Sequence, residues 1–159
     1  MSQLRERSTR TTTRPVPDAA ILPGPSEQRG RMPAMLRTLG AIAVLVTGAV
    51  HLEQYFGANI GTVSVIGPLF LLNFAGAMVI GLGLLIPSVR MRILHLLLAL
   101  GGIGLAATSF VFLFVAEYHS LFGFRESGYR PAIVIALAAE AVATVALAAY
   151  VAMATRRPA

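Results

Sequence analysis

The sequence has 159 residues, enough for one domain, and 56% of them are hydrophobic while only 13% are charged. Soluble domains are about 25% charged, so the composition indicates a protein surrounded by lipid. All 13 basic residues are arginines in tails and short links, which argues against nucleic-acid binding, and the absence of cysteine excludes disulfides and thiolate metal sites.

Residues 1–33 form a polar segment rich in arginine, threonine and proline. The segment has too little apolar surface to fold alone, so a disordered tail is expected. Its arginines could contact anionic lipid, and phosphorylation of its serines and threonines could weaken that contact. Alternatively, the segment is only a topology signal before an uncleaved first helix, because no small-residue cleavage site follows the apolar run.

Four apolar stretches have the length of about 20 residues that a membrane-crossing helix requires. They predict an all-α, four-helix transmembrane bundle over residues 34–155, followed by a short tail at 156–159. The predicted helices span residues 36–52, 66–86, 93–116 and 132–153. The first is the shortest, so Arg37 is expected to extend toward the lipid headgroups. Pro68 and Pro131 suit the first turns of their helices.

The arginine distribution predicts the orientation of the bundle. Eleven of the 13 arginines lie in the segment up to Arg37, between the second and third helices, or at the C-terminal end. The other two, Arg125 and Arg130, precede the fourth helix. By the positive-inside rule, we expect a multi-pass protein of the cytoplasmic membrane with both termini in the cytoplasm.

Small residues recur at helical spacing in three of the predicted helices, and in lipid such residues mark close helix contacts. The faces are Asn73, Ala77 and Gly81; His95, Ala99, Gly102, Ala106 and Ser109; and Ala132, Ala136, Glu140, Thr144 and Ala148. A tight four-helix bundle or a homo-oligomer accounts for these stripes. His95 is predicted to be a packing or interfacial residue.

Glu140 is the residue that most strongly indicates chemistry. It lies about 13 Å along the fourth predicted helix, near the membrane midplane, at 1.5 Å per residue. A carboxylate at this depth costs about 2.5–3.5 kcal/mol on insertion scales. Asn73 lies at a similar depth and could hydrogen-bond to it. Glu140 is therefore either a proton-carrying or ligand-binding carboxyl, or a neutral structural group bonded to Asn73 or to a backbone carbonyl.

A second polar cluster is predicted where the first and third helices end. His51 and Glu53 end the first helix, and Glu117 and His119 end the third. Two histidines and two carboxylates could bind a divalent metal such as zinc or copper. Residues two apart on a helix point about 200° apart, so this site requires frayed helix ends. The alternatives are ordinary interfacial polar residues, or a haem held by the two histidines.

The link before the fourth helix is also a candidate site. Its charged and aromatic residues are Arg125, Glu126, Tyr129 and Arg130, with Gly123 and Gly128 as turn signals. They could bind an anionic or quinone-like head group, or form solvated ion pairs. The sequence contains no phosphate-binding loop, hydrolase elbow or zinc-protease motif, so no catalytic residue and no cofactor is assigned.

Residues 37–40 (RTLG) and 48–52 (GAVHL) resemble the first helix of DoxX-like membrane proteins. Those proteins are small four-helix proteins, some linked to quinone-dependent oxidoreduction. Residues 66–73 and 122–129 look more like segments of actinobacterial four-helix membrane proteins. The resemblance implies a four-helix fold and carries over no site residue.

Two functions remain as hypotheses from the sequence. The first is an accessory or partner-binding membrane subunit without enzymatic activity. The second is a redox component, linked to quinones, or a component of proton or small-solute transport, using Glu140 and the His/Glu cluster. Lipid is the expected surrounding in both, and a membrane-protein partner or a second copy of the chain is an expected partner in the first.

Overall fold

The computed structural model describes residues 25–123, 125, 128 and 130–156. The fold is all-α, and its four helices are α1 (Pro25–Gly57), α2 (Ile66–Leu85), α3 (Arg92–Tyr118) and α4 (Pro131–Thr155). Single 3-10 turns at Ile60–Thr62 and Val89–Met91 precede α2 and α3. The predicted all-α architecture with four helices is confirmed.

All four helices are long and apolar enough to cross a membrane. In α1 the apolar portion is Arg31–Gly57, whereas the other three helices qualify over their whole length. Large apolar side chains such as Leu72, Val79 and Leu97 are exposed on the outside of the bundle. In water so much apolar surface would be unfavourable, and these faces suit contact with lipid chains.

The first helix is longer than predicted. With 33 residues α1 is the longest of the four helices, not the shortest, and residues 25–33 of the predicted tail belong to it. Proline at the first position of a helix costs little because the N–H it lacks would have no partner there. Adding residues to a helix that has already started is also easier than starting one. Residues 1–24 lie outside the described part of the chain.

The other three helices begin and end within two residues of the predicted bounds. Pro131 is the first residue of α4, as predicted, and the Arg130 carbonyl accepts hydrogen bonds from the N–H groups of Ile133 and Val134. Proline therefore fixes the helix start without leaving a broken hydrogen bond inside the helix.

Each helix packs against its neighbours in the chain, and α1 also packs against α4, while α1 and α3 touch at few points. The helices therefore follow one another around the bundle. The link 58–65 and the described residues of the link before α4 lie at one end, which we call the arginine-poor end. The opposite end, with Arg37, Arg92 and Arg156, is called the arginine-rich end.

The buried face of α4 differs from the stripe predicted for it. Ala136 and Glu140 are buried as expected, but Ala148 is exposed. The buried positions of the helix instead include Ile133, Ala136, Ala139, Glu140, Ala143, Leu147, Tyr150 and Ala154. One residue turns a helix by about 100°, so a constant step of four drifts by about 40° each time and leaves the face. The alternating steps of four and three in α3 drift by only about 20° every seven residues, and His95, Ala99, Gly102 and Ala106 are all buried.

Arg37 makes contacts with α3 and with the end of α2, and its extension toward headgroups stays a prediction. Its Nη1 lies 3.0 Å from His95 Nδ1 in α3 and 3.5 Å from the Ile86 carbonyl oxygen at the end of α2. His95 is 2% exposed and is therefore packed inside the bundle. Because α1 begins well before Arg37, this residue lies inside the helix, where a partner on a neighbouring helix is within reach.

A second arginine joins two helices at the arginine-rich end of the bundle. Arg92 Nη2 donates a hydrogen bond of 2.6 Å to the Ala154 carbonyl oxygen in the last turn of α4. The last carbonyls of a helix have no partner within it and carry partial negative charge. The bond therefore joins the start of α3 to the end of α4.

Candidate functional site

A cavity of about 120 Å³ lies among the four helices, in the half of the bundle nearer the arginine-poor end. Every helix contributes polar side chains to its lining: His51 and Gln54 from α1, Asn73 from α2, Ser109 from α3 and Glu140 from α4. The rest of the lining is mostly aliphatic, together with the aromatic rings of Phe70 and Phe112. Glu140 and Asn73, which the sequence paired, therefore line the same cavity as His51, which the sequence assigned to a different cluster.

Glu140 is 2% exposed and belongs to the buried face of α4. Its Oε2 atom has no hydrogen-bond partner among the described residues. The nearby hydroxyl of Thr144 donates to the Glu140 main-chain carbonyl at 2.8 Å, so it is engaged with the backbone. Buried polar atoms in proteins are nearly always satisfied, and leaving one unsatisfied costs about 1–3 kcal/mol. A ligand or water in the cavity would supply the missing partner.

Asn73 connects α2 to α3 and not to α4. Its Nδ2 donates to Ser109 Oγ, while its Oδ1 is buried and has no partner among the described residues. The hydrogen bond to Glu140 that the sequence suggested is thus replaced by one to Ser109. The reason is the order of the helices, since α2 and α3 are neighbours while α4 packs against α1 and α3.

His51 is oriented by its own helix. Its Nδ1 lies 2.9 Å from the Thr47 carbonyl oxygen one turn earlier, and its ring packs against Phe70 with 4.7 Å between ring centroids. A carbonyl can only accept, so Nδ1 carries the hydrogen and Nε2 offers a lone pair. Gln54, three residues later on the same face, was missed in the sequence although its spacing from His51 could have indicated it. Its amide donates to Glu53 Oε2 at 2.6 Å.

The structure does not bring His51, Glu53, Glu117 and His119 together. His51 lines the cavity, whereas Glu53 and His119 are exposed. Within the described residues, no three histidine or acidic side chains are grouped so that they could hold a metal ion. The cause is the length of α1, which continues to Gly57 without fraying, so residues 51 and 53 point in different directions. His119 instead borders a shallow groove on the surface of α3, beside Phe114 and Tyr118.

The link before α4 is described only in part. Arg125 and Arg130 are exposed, and the predicted site residues Glu126 and Tyr129 lie outside the described residues. Gly123 and Gly128 have φ values of 81° and 85°, a conformation that glycine adopts readily and that is typical of turns. The head-group site suggested for this link stays a prediction.

No family model, no curated protein and no solved structure matches this chain. Its class is therefore defined by fold and site alone: a bundle of four helices of membrane-spanning length, with a cavity lined by a buried carboxyl, a histidine and two amides.

Proposed function

We propose that the protein is a multi-pass protein of the cytoplasmic membrane, with both termini in the cytoplasm, that binds a small molecule in the cavity. It would act as a component of proton or small-solute transport, or of quinone-linked redox chemistry. The observation that carries the proposal is the buried Glu140 carboxyl, whose Oε2 lacks a partner in the described part of the chain. A binding carboxyl explains why so costly a group stands in this position.

A purely structural role for Glu140 accounts less well for its surroundings. A neutral structural glutamate is stabilised when its oxygens are hydrogen-bonded to protein groups. Here Thr144 bonds to the backbone and Asn73 bonds to Ser109, so neither satisfies the carboxyl. The cavity of about 120 Å³ is also well above the roughly 10–15 Å³ that one water molecule needs. The space beside Glu140 therefore suits a small ligand or several waters.

The orientation is supported by the arginines at the arginine-rich end and is directly testable. Alkaline phosphatase, which is active only outside the cytoplasm, is fused after Arg156 or inserted between residues 58 and 65. We expect the first fusion to be inactive and the second to be active, because the arginine-rich end stays in the cytoplasm. An active C-terminal fusion together with an inactive insertion would reverse the proposed orientation.

Access to the cavity is tested with single cysteines, since the chain has none of its own. Ala136 lines the cavity one turn before Glu140, while Val145 on the same helix is 70% exposed on the outside of the bundle. We expect Ala136→Cys in membrane vesicles to react with a small neutral methanethiosulfonate reagent. We expect Val145→Cys to stay unreactive, because a thiol in hydrocarbon does not form the thiolate that reacts.

After unfolding in sodium dodecyl sulfate both variants should react fully, which controls for the reagent and for expression. If Ala136→Cys reacts no faster than Val145→Cys in the native vesicles, the cavity does not admit small molecules and the proposed function is wrong.

The accessory-subunit hypothesis is supported by one different observation. Gly104 and Thr108 are exposed on α3, and a Cβ atom added at Gly104 would meet nothing within 4 Å. Small residues four apart on a lipid-facing surface allow close approach of another helix. A partner helix or a second copy of the chain could pack on this surface without involving the cavity.

A further inference from the structure

Three atoms that line the cavity can accept hydrogen bonds from a ligand when Glu140 is ionised. Glu140 Oε2 and Asn73 Oδ1 have no partner among the described residues. His51 offers Nε2 as an acceptor because its Nδ1 hydrogen is directed at the Thr47 carbonyl. The amide groups of Asn73 and Gln54 each donate one of their two hydrogens already, to Ser109 Oγ and to Glu53 Oε2. A ligand that satisfies these acceptors must bring hydrogen-bond donors.

The sign of the ligand's charge follows from the rest of the lining. In the part of the chain that the structure describes, no arginine lines the cavity, so an anion would face Glu140 without any compensating cation. Phe70 and Phe112 contribute aromatic rings to the wall. The faces of such rings attract ammonium groups, and more strongly when water is excluded.

We propose that the cavity binds a small organic monocation through its ammonium group, with Glu140 as counter-ion and with Asn73 and His51 as further acceptors. This assignment rests on the proposed function and specifies its ligand class. Charge-assisted hydrogen bonds are about twice as strong as neutral ones, so the carboxylate is the principal contact.

Binding of such a cation is coupled to a proton. An isolated carboxylate is too costly to bury, so Glu140 carries a proton while the cavity is empty. When the ammonium group arrives, the O–H bond breaks, the carboxylate pairs with the cation, and one proton leaves to solvent. The other titratable group in the lining is His51 of α1, while α2 and α3 contribute the neutral Asn73 and Ser109. The affinity for the cation is therefore expected to rise with pH.

The test uses the full chain in detergent and three ligands of nearly equal size: benzylammonium, benzyl alcohol and benzoate. Isothermal titration calorimetry is run at several pH values for the native protein, for Glu140→Gln, and for Glu117→Gln as a control at a carboxyl that does not line the cavity. We expect benzylammonium to bind at least about tenfold more tightly than the other two ligands. We also expect Glu140→Gln to remove this preference and the pH dependence, while Glu117→Gln keeps both.

Circular dichroism melting of Glu140→Gln verifies that the variant is folded. Equal binding of benzylammonium and benzyl alcohol, unaffected by Glu140→Gln, would show that the cavity binds ligands without selecting a cation and would overturn this inference alone. If none of the three ligands binds although Ala136→Cys is reactive, the cation assignment is again wrong and the cavity remains accessible. If Ala136→Cys is unreactive as well, the proposed function fails with it.

Discussion

The variant Leu147→Ala is expected to lose about 2–5 kcal/mol of stability, the usual cost of truncating a buried leucine. Leu147 is 0% exposed, and its side chain fills the space between Gly40 of α1 and Gly102 of α3. The two glycines have no side chains that could move into the void. The loss of stability should fall in the lower part of this range. In lipid a buried leucine stabilises the fold through packing contacts, and the additional gain from removing its side chain from water does not apply.

Thermal unfolding in detergent, followed by circular dichroism, measures this effect. Val145→Ala on the same helix is the matched control, since Val145 faces outward and its truncation leaves no internal void. A Leu147→Ala variant that unfolds at the same temperature as Val145→Ala would contradict the packing of Leu147 between Gly40 and Gly102.

A second substitution, Gly40→Ala, tests the contact between Gly40 and Leu147 directly. A Cβ atom added at Gly40 would collide with the Cδ2 atom of Leu147. Gly40→Ala should therefore destabilise the native protein and be tolerated in the Leu147→Ala background. The difference between the two backgrounds is the coupling energy of the pair, and equal effects in both would place Gly40 away from Leu147.

Gly48→Ala is expected to destabilise the bundle by about 1–3 kcal/mol, the usual cost of overpacking. A Cβ atom at Gly48 would lie 2.6 Å from the Cβ of Ala77 and 3.5 Å from the Phe74 carbonyl oxygen. All of these atoms are fixed to the backbone, so no rotamer change can relieve the collision and α1 and α2 must move apart. The measurement is again the thermal unfolding midpoint.

Gly104→Ala is the matched control for this substitution, because nothing lies within 4 Å of a Cβ atom there. Alanine also favours a helix over glycine by up to about 1 kcal/mol, so this control should be neutral or slightly stabilising. If Gly48→Ala and Gly104→Ala had the same thermal unfolding midpoint, the close approach of α1 to α2 at Gly48 would be wrong.

The helices were predictable because lipid imposes a simple requirement: a crossing helix needs about 20 apolar residues and has no alternative backbone partners. This requirement places the bounds of α2, α3 and α4 within two residues. It says nothing about how far a helix continues into polar sequence, which is why the start of α1 at Pro25 was missed. The contact of Arg37 with His95 was missed for the same reason.

The sequence predicted some residues of the candidate site but not the hydrogen bonds between them. Glu140 and Asn73 stood out because polar groups are costly in apolar helices. Which helices are neighbours is not written in the hydropathy pattern, so the bond from Asn73 to Ser109 could not be foreseen. His51 was assigned to a metal cluster because the first helix was predicted to end at residue 52. In the structure α1 continues for another turn and a half, so His51 lies within the helix.

Leu147, Gly40 and Gly102 form a closely packed layer between α4, α1 and α3. The cavity lies entirely on one side of this layer, and Leu147 follows Glu140 by two helical turns in the direction of the arginine-rich end. In the proposed transport function, a molecule beside Glu140 would meet this layer before it reached the arginine-rich end. Passage beyond the layer would require α1 and α3 to move apart around the leucine, against its close packing on Gly40 and Gly102. The three residues would then be the barrier between the cavity and that end.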